Sequence, residues 1–210
     1  MSRTYRLCVA TAAWVVVVGS AALLPGVARA AETVHLYLKA NGVSIQGEPT
    51  QTSLGRENSI ECVQFTHEVA TPVETGSGLA MGRRVYQPIV IRKRIDKSSP
   101  LLMKALALNQ TLEAEFRFFR PNPIGDGTTE QFFTIRLSKA RIVGVKLFLP
   151  NCLDPAASNY PPQEDVSIAF QGISWTYTNG NVTFDDSGKL MRDADESGIQ
   201  ERGVGQAPKK

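Results

Sequence analysis

Histidines, thiols and clustered carboxylates carry most side-chain chemistry at neutral pH, and this sequence uses few of them. Its 210 residues contain two histidines. His35 falls on the polar face of an alternating run, and His67 shares a parity with Val63, Phe65 and Val69. Each therefore reads as a sheet histidine satisfied by its neighbours. No G-x-S-x-G elbow, H-E-x-x-H pair, phosphate loop or C-x-x-C motif is present, and no spacing proposes a Ser/His/Asp triad.

The carboxylates offer little more. Asp193-x-Asp195-x-Ser197-Gly198 matches the first half of a Ca²⁺ loop, but Val204 stands where a bidentate Glu is required, which leaves a solvated acidic tail. Asp185 and Asp186 are adjacent, and neighbours on a strand point to opposite faces, so the pair reads as turn residues. The run Arg92-Lys93-Arg94, followed by Lys97, reads as the solvated end of a strand and not as a nucleic-acid patch. The sequence thus nominates no catalytic, cofactor-binding or metal-binding residue and implies no cofactor.

The first thirty residues have a different character. Arg3 and Arg6 precede an apolar stretch from Leu7 to Val27, and Ala28-Arg29-Ala30 offers small residues at a cleavage site. This is the pattern of a secretory signal peptide over 1–30, cut before Ala31; a retained membrane anchor is the other reading of the same stretch. Cleavage removes Arg3, Arg6 and Arg29 and no acid, so the mature chain is formally neutral. A neutral surface has no general attraction for phosphate backbones or anionic membranes. Cys8 leaves with the signal, and Cys62 and Cys152 remain, either as a disulfide in an oxidising compartment or as two thiols.

The rest of the chain is dominated by period two. Val34, Leu36 and Leu38 alternate with His35, Tyr37 and Lys39; Leu112, Ala114, Phe116 and Phe118 alternate with Glu113, Glu115 and Arg117; Phe133, Ile135 and Leu137 form a third set. Further strands are predicted over 60–69, 85–95, 140–149 and 164–184, with turns at Asn41-Gly42, Gly76-Ser77-Gly78, Gly125-Asp126-Gly127 and Asn179-Gly180. Val166, Ile168 and Phe170 fall out of phase with Ile173, Trp175 and Tyr177, which predicts a β-bulge at Gly172. One helix is expected, with Ser99 as N-cap, Pro100 at its first position and Leu102, Ala105 and Leu106 on its apolar face. Ser187 to Lys210 lacks bulky apolar residues and reads as a flexible polar tail over 188–210.

Several blocks in order carry a resemblance: His35-Leu36-Tyr37-Leu38-Lys39, Ile45-Gln46-Gly47-Glu48, Ile60 to His67, Tyr86-Gln87-Pro88-Ile89-Val90-Ile91, Ile95-Asp96-Lys97-Ser98-Ser99-Pro100-Leu101-Leu102, Glu164 to Ile168 and Ile173 to Tyr177. From Ala31 to about Ser187 the sequence resembles the haemolysin-coregulated protein (Hcp) family, the tube subunits of bacterial type VI secretion. That resemblance implies a mainly β fold, a two-sheet antiparallel β-barrel over 31–187 with one short α-helix. It also implies a homohexameric ring, ring stacking into a tube, secreted effector proteins as cargo, and tube-tip and sheath proteins as partners. The segment Glu48 to Asn58 looks like the loop that reaches a neighbouring ring. The signal segment and the tail depart from the family pattern. They make a secreted or periplasmic location the expectation, with a mistaken start site as the other reading. The leading function is a non-catalytic ring subunit and effector carrier. An exported binding module that lost tube assembly comes next, and a secreted enzyme third.

Overall fold

The computed structural model describes residues 32–151, 153–155 and 159–186. The predicted signal peptide, Cys152 and the 188–210 tail with its Asp193 motif lie outside the described residues.

Alternation produces strands where it was strongest. β1 (Thr33–Ala40) turns through Asn41 and Gly42, both at positive φ, into β2 (Val43–Ile45), with Ala40 opposite Val43. This is the two-residue hairpin that an Asn-Gly pair favours. β1 also pairs antiparallel with β8 (Leu112–Pro121) along its whole length, so Leu36, Leu38, Ala114 and Phe116 share one buried face.

The two predicted strands at 133–138 and 140–149 form one long strand, β9 (Thr129–Phe148). Its first half pairs with β8 and with β11 (Gly172–Tyr177); its second half pairs with β10 (Gln163–Ala169). The switch falls at Lys139, which has φ 48°, and Leu112 faces Ala140 while Ala114 faces Leu137. One extra residue on β9 bends it from one sheet into the other. The chain remains one strand across it because a partner strand is available on each side of the bend.

The phase slip near Gly172 has a different cause from the predicted bulge. β10 ends at Ala169, β11 begins at Gly172, and the two pair with different halves of β9. Parity changes because the chain crosses between sheets at Phe170–Gln171. Ile173 is buried with Val166 and Ile168, whereas Tyr177 is exposed.

The predicted 60–69 strand is also divided. β3 (Ile60–Cys62) pairs with β1, and β4 (Gln64–Thr66) pairs with β7 (Ile89–Arg94), while the Val63 amide donates to the Arg92 carbonyl at 2.8 Å. β7 pairs in turn with β10. The path of pairing therefore runs from β1 through β8, β9, β10 and β7 and returns to β1 along residues 60–66. Both sheets face one core of Leu36, Ile60, Ile89, Ile91, Leu112, Phe116, Val166, Ile168 and Ile173. A separate pair, β5 (Val69–Ala70) with β6 (Val85–Tyr86), forms a projecting hairpin, and β12 (Val182–Asp185) lies on the edge beyond β11.

The helix, α1 (Ser99–Ala107), is capped one residue earlier than predicted, at Ser98. Ser99 is not the cap because its hydroxyl is committed elsewhere: it accepts from the Asp96 amide at 3.1 Å and donates to Glu164 at 2.7 Å. Asp96 starts the helix instead, accepting the Ser98 amide at 2.9 Å. Leu102 and Ala105 are buried against the core and Leu106 packs at its margin, as the helical spacing predicts.

Beneath the helix start, the basic run departs in part from its predicted solvated role: Arg94 and Lys97 are exposed as expected, but Lys93 is not. Lys93 is fully buried. Its ammonium donates to Glu164 Oε1 at 2.8 Å, Asp96 Oδ1 at 2.9 Å and the Arg94 carbonyl at 2.7 Å. Arg92 is paired with Asp165, its two nitrogens 2.7 and 2.9 Å from the carboxylate oxygens. Replacing Lys93 by Met leaves Glu164 and Asp96 without their cation, and breaking a buried pair in this way costs about 3–5 kcal/mol. Denaturant unfolding should show that loss for Lys93→Met, and the double variant Lys93→Met/Glu164→Gln should recover part of it. A single variant within 1 kcal/mol of wild type, a threshold of about one ordinary hydrogen bond, would remove the network from the fold's energetics.

Candidate functional site

The outer face of β1 and β8 is where polar side chains collect, and a loop over residues 47–59 lies across it. The close approach at its base requires a glycine. A Cβ on Gly47 would sit 2.6 Å from the Ser59 carbonyl oxygen and 2.9 Å from the Ile60 Cα. Gly47 donates its amide to the Asn58 carbonyl at 3.1 Å, and the next amide, Glu48, reaches Asp96 Oδ2 at 3.0 Å. Loop base and helix start thus share one carboxylate. Burial would raise that carboxyl, but Lys93, Ser98 and the Glu48 amide together hold it below the usual carboxylate range.

The middle of the loop is fastened to the sheet. Thr50 gives its amide and hydroxyl to the Glu61 carboxylate at 2.7 and 2.9 Å. Tyr37 donates its phenol to the Gly55 carbonyl at 2.8 Å. Arg56 turns inward, only 3% exposed, with its guanidinium 4.8 Å above the Phe119 ring and bonded to Ser53 and Gln51. Leu54 at the outer turn is 54% exposed and held at φ 59°, a left-handed conformation that costs a non-glycine residue about 1–2 kcal/mol.

His35 lies beneath this loop. The alternation correctly put it on the face opposite Leu36, but that face is covered here and His35 has no exposure. Its ring meets Phe119 edge-on at 5.5 Å, and Nδ1 is 2.9 Å from the Ser59 hydroxyl. Burial pushes its pKa down to about 4; Glu61 across the β1–β3 pair pulls the other way, and the nearby Arg56 guanidinium adds to the depression.

Beside the docked loop, the same face forms a groove of about 520 Å³ lined by residues including Tyr37, Lys39, Glu115, Arg117, Arg136 and Ser174. Arg117 lies 4.1 Å over the Tyr37 ring, and Glu115 accepts from Arg117 at 2.6 Å and Arg136 at 3.1 Å. Burial would raise the Glu115 carboxyl, but its two guanidinium partners hold it low.

His67 sits away from the loop, and its predicted parity with Val63 and Val69 does not hold. The strand is interrupted at Val63 and ends at Thr66, leaving Val63 and Val69 exposed. His67 instead enters a ring cluster, stacked 6.2 Å from Tyr86 and 6.1 Å from Trp175, with Phe170 at 5.9 Å. Burial lowers its pKa. The predicted turn residue Asp186 is also fully buried, and ion-pairs with Arg84 while accepting the Tyr86 hydroxyl. That contact pins the β5–β6 hairpin against the end of β12. Exposed apolar groups on this end of the molecule include Val73, Leu79, Met81 and Val85 on the hairpin and Val182 and Phe184 on β12; others, such as Leu101, Met103, Val143 and Leu147, lie elsewhere on the surface.

Lys93, Glu164, Arg56 and Asp186 were missed as organising residues. For Lys93 and Glu164 a signal existed, because each follows the inward parity of its strand, Ile89-Ile91-Lys93 and Glu164-Val166-Ile168. Arg56 and Asp186 carry no such periodic mark. Cys62 is a buried free thiol, pushed up to about 12 by burial. Among the described residues there is no cluster of three or more potential metal-binding side chains, and no helix long and apolar enough to cross a membrane.

Antiparallel sheets sharing two strand segments, one helix on a buried polar network and a long docked loop define a β protein whose features are surfaces and edges. The chain belongs to the Hcp family: the family model described as type VI secretion system effector, Hcp, matches residues 37–177. It is 37% identical over 134 residues to a major exported protein of Pseudomonas aeruginosa, covering 63% of this chain and 77% of that one. Among solved structures it resembles Hcp1 of the Escherichia coli EAEC 042 pathovar, with 31% identity, 73% of this chain, 97% of the other and a TM-score of 0.63. It likewise resembles another Hcp protein at 26% identity, with 74% of this chain, 97% of the other and a TM-score of 0.67.

Gly47→Ala should destabilise the protein by about 1–3 kcal/mol, because the clashing atoms are backbone and cannot swing aside. Hydrogen exchange should rise across 47–59 more than in β9. Uniform change across both segments would count against a local anchoring role for Gly47.

Proposed function

We propose that this chain is a ring-forming subunit of a type VI secretion tube: a non-catalytic protein that assembles as a homohexamer, stacks ring on ring and carries effector proteins. The observation that carries the reading is that an apolar edge strand, β12, and an apolar projecting hairpin, 69–86, are both present and, among the described residues, unpaired with each other on a chain of this family. Edge strands with exposed apolar side chains invite pairing with another chain. Two different surfaces meeting head to tail close into a ring when the rotation permits. The docked loop, with Leu54 outward, supplies the surface for stacking. Partners on this reading are other copies of the chain, effector cargo and the tip and sheath proteins of the apparatus.

Residues 1–30 act as a cleaved signal on this reading, delivering the mature chain from Ala31 to the periplasm or beyond. The charged groove on β1 and β8 gives the second reading its footing: an exported binding module that kept the fold and lost tube assembly. Light scattering on protein purified from periplasm, with N-terminal sequencing, separates the two. A sixfold mass beginning at Ala31 supports the ring subunit; a monomer supports the module and overturns the tube role. Leu54→Asp should leave the ring intact and abolish stacking, since Asp tolerates the left-handed turn better than Leu. Stacks that persist in this variant would assign the ring contact elsewhere.

A further inference from the structure

The buried face of the 47–59 loop holds a titratable ring that the assembly reading does not use. Ser59 donates its hydroxyl hydrogen to the Arg56 carbonyl at 2.7 Å, so toward His35, 2.9 Å away, it accepts from Nδ1–H. This fixes the neutral tautomer with its lone pair on Nε2, a buried atom with no hydrogen-bond partner among the described residues. We propose that His35 is a proton-operated latch: neutral, it holds the 47–59 loop on β1 and β8, and taking up a proton on Nε2 it releases the loop.

The surroundings determine the direction. Burial disfavours a charged ring most, and the Arg56 guanidinium, which packs on the same Phe119 ring that His35 meets edge-on, adds a like charge. From β3, Glu61 faces His35 and its charge favours the protonated ring, although both its oxygens also accept from Thr50; burial outweighs it. From β8, Arg117 is the register neighbour of His35, and its charge is engaged by Glu115. Protonation therefore puts a charge on a ring sealed from water, and burial is its main cost, with the buried Arg56 guanidinium adding to it. Moving the loop away returns His35 to water. Leu54 at its left-handed φ favours release, since that conformation is maintained by the docking contacts.

The sign follows from linkage. The docked state depresses the His35 pKa, so docking is fully present above the ordinary value of 6.5 and is lost as pH falls toward about 4. Between pH 7.5 and 5 the docked-to-released ratio should fall roughly 20- to 30-fold. The effect on stacking rests on the function proposed above, with the loop as stacking surface; the latch itself does not.

Hydrogen exchange on the full mature protein, corrected for intrinsic rate, tests the latch. Exchange over 48–58 should rise by that factor from pH 7.5 to 5, while β9 stays unchanged. His35→Asn keeps a donor toward Ser59 but cannot titrate, so its loop exchange should be flat over the same range. Ser59→Ala removes the acceptor and should open the loop already at pH 7.5. If either variant fails to fold, NMR titration of the wild-type His35 ring decides, with a midpoint below 5 expected. A midpoint near 6.5, an unchanged loop in wild type, or the same pH response in His35→Asn overturns the proposal. Sizing the same samples separates the two ideas: a loop that opens in acid on a protein never found as rings leaves the latch standing and removes the assembly reading.

Discussion

The buried ammonium of Lys93 is the point on which several parts of the structure converge. It binds Glu164 of β10, Asp96 before the helix and, at 3.2 Å, Ser99 inside it. Asp96 in turn fixes the helix start through the Ser98 amide and the loop base through the Glu48 amide. Taking ions out of water costs several kcal/mol each, recovered only with near-complete pairing. That requirement forces β7, β10, the helix start and Gly47 into one mutual arrangement. Apolar packing alone would tolerate small slips among them; a charge with four partners does not.

From that anchor the functional face follows. The shared carboxylate of Asp96 sets where the 47–59 loop leaves the sheet, and Gly47 lets it leave closely enough to lie back over β1. Arg56 then fills the space over Phe119, and His35 is sealed beneath. The loop is thus a second layer on sheet positions that alternation assigns to solvent. The same principle operates at the other end, where Asp186 draws in Arg84 and Tyr86 and positions the hairpin beside the exposed edge of β12. In both places a polar contact over long sequence distance decides which apolar groups stay outside.

Much of this was legible in order along the chain. Period-two alternation identified β1, β8 and the first half of β9, Asn41-Gly42 identified its hairpin, and the spacing of Leu102, Ala105 and Leu106 identified the helix face. Where the expected strands were merged, divided or out of phase, a strand changed partners. The merged β9, the interruption at Val63 and the parity change before Gly172 all occur where the two sheets exchange a strand. Local pattern reports which face a residue occupies; it does not report which strand lies alongside.

The sequence by itself determined the class of fold, the inward parity of the core and the family, because these depend on residue type at short spacing. It determined even the inward direction of Lys93 and Glu164, though not that they meet. Only the tertiary structure decided that the polar face at His35 is covered, that Arg56 and Asp186 are buried, and that Arg92 and Lys93 are paired. Those outcomes depend on contacts between residues far apart in the chain, such as Arg84 with Asp186, 102 positions apart, or His35 with Ser59, 24 apart. Such contacts form when a loop closes over a sheet, and loop closure is governed by chain geometry and the few anchors that hold its ends.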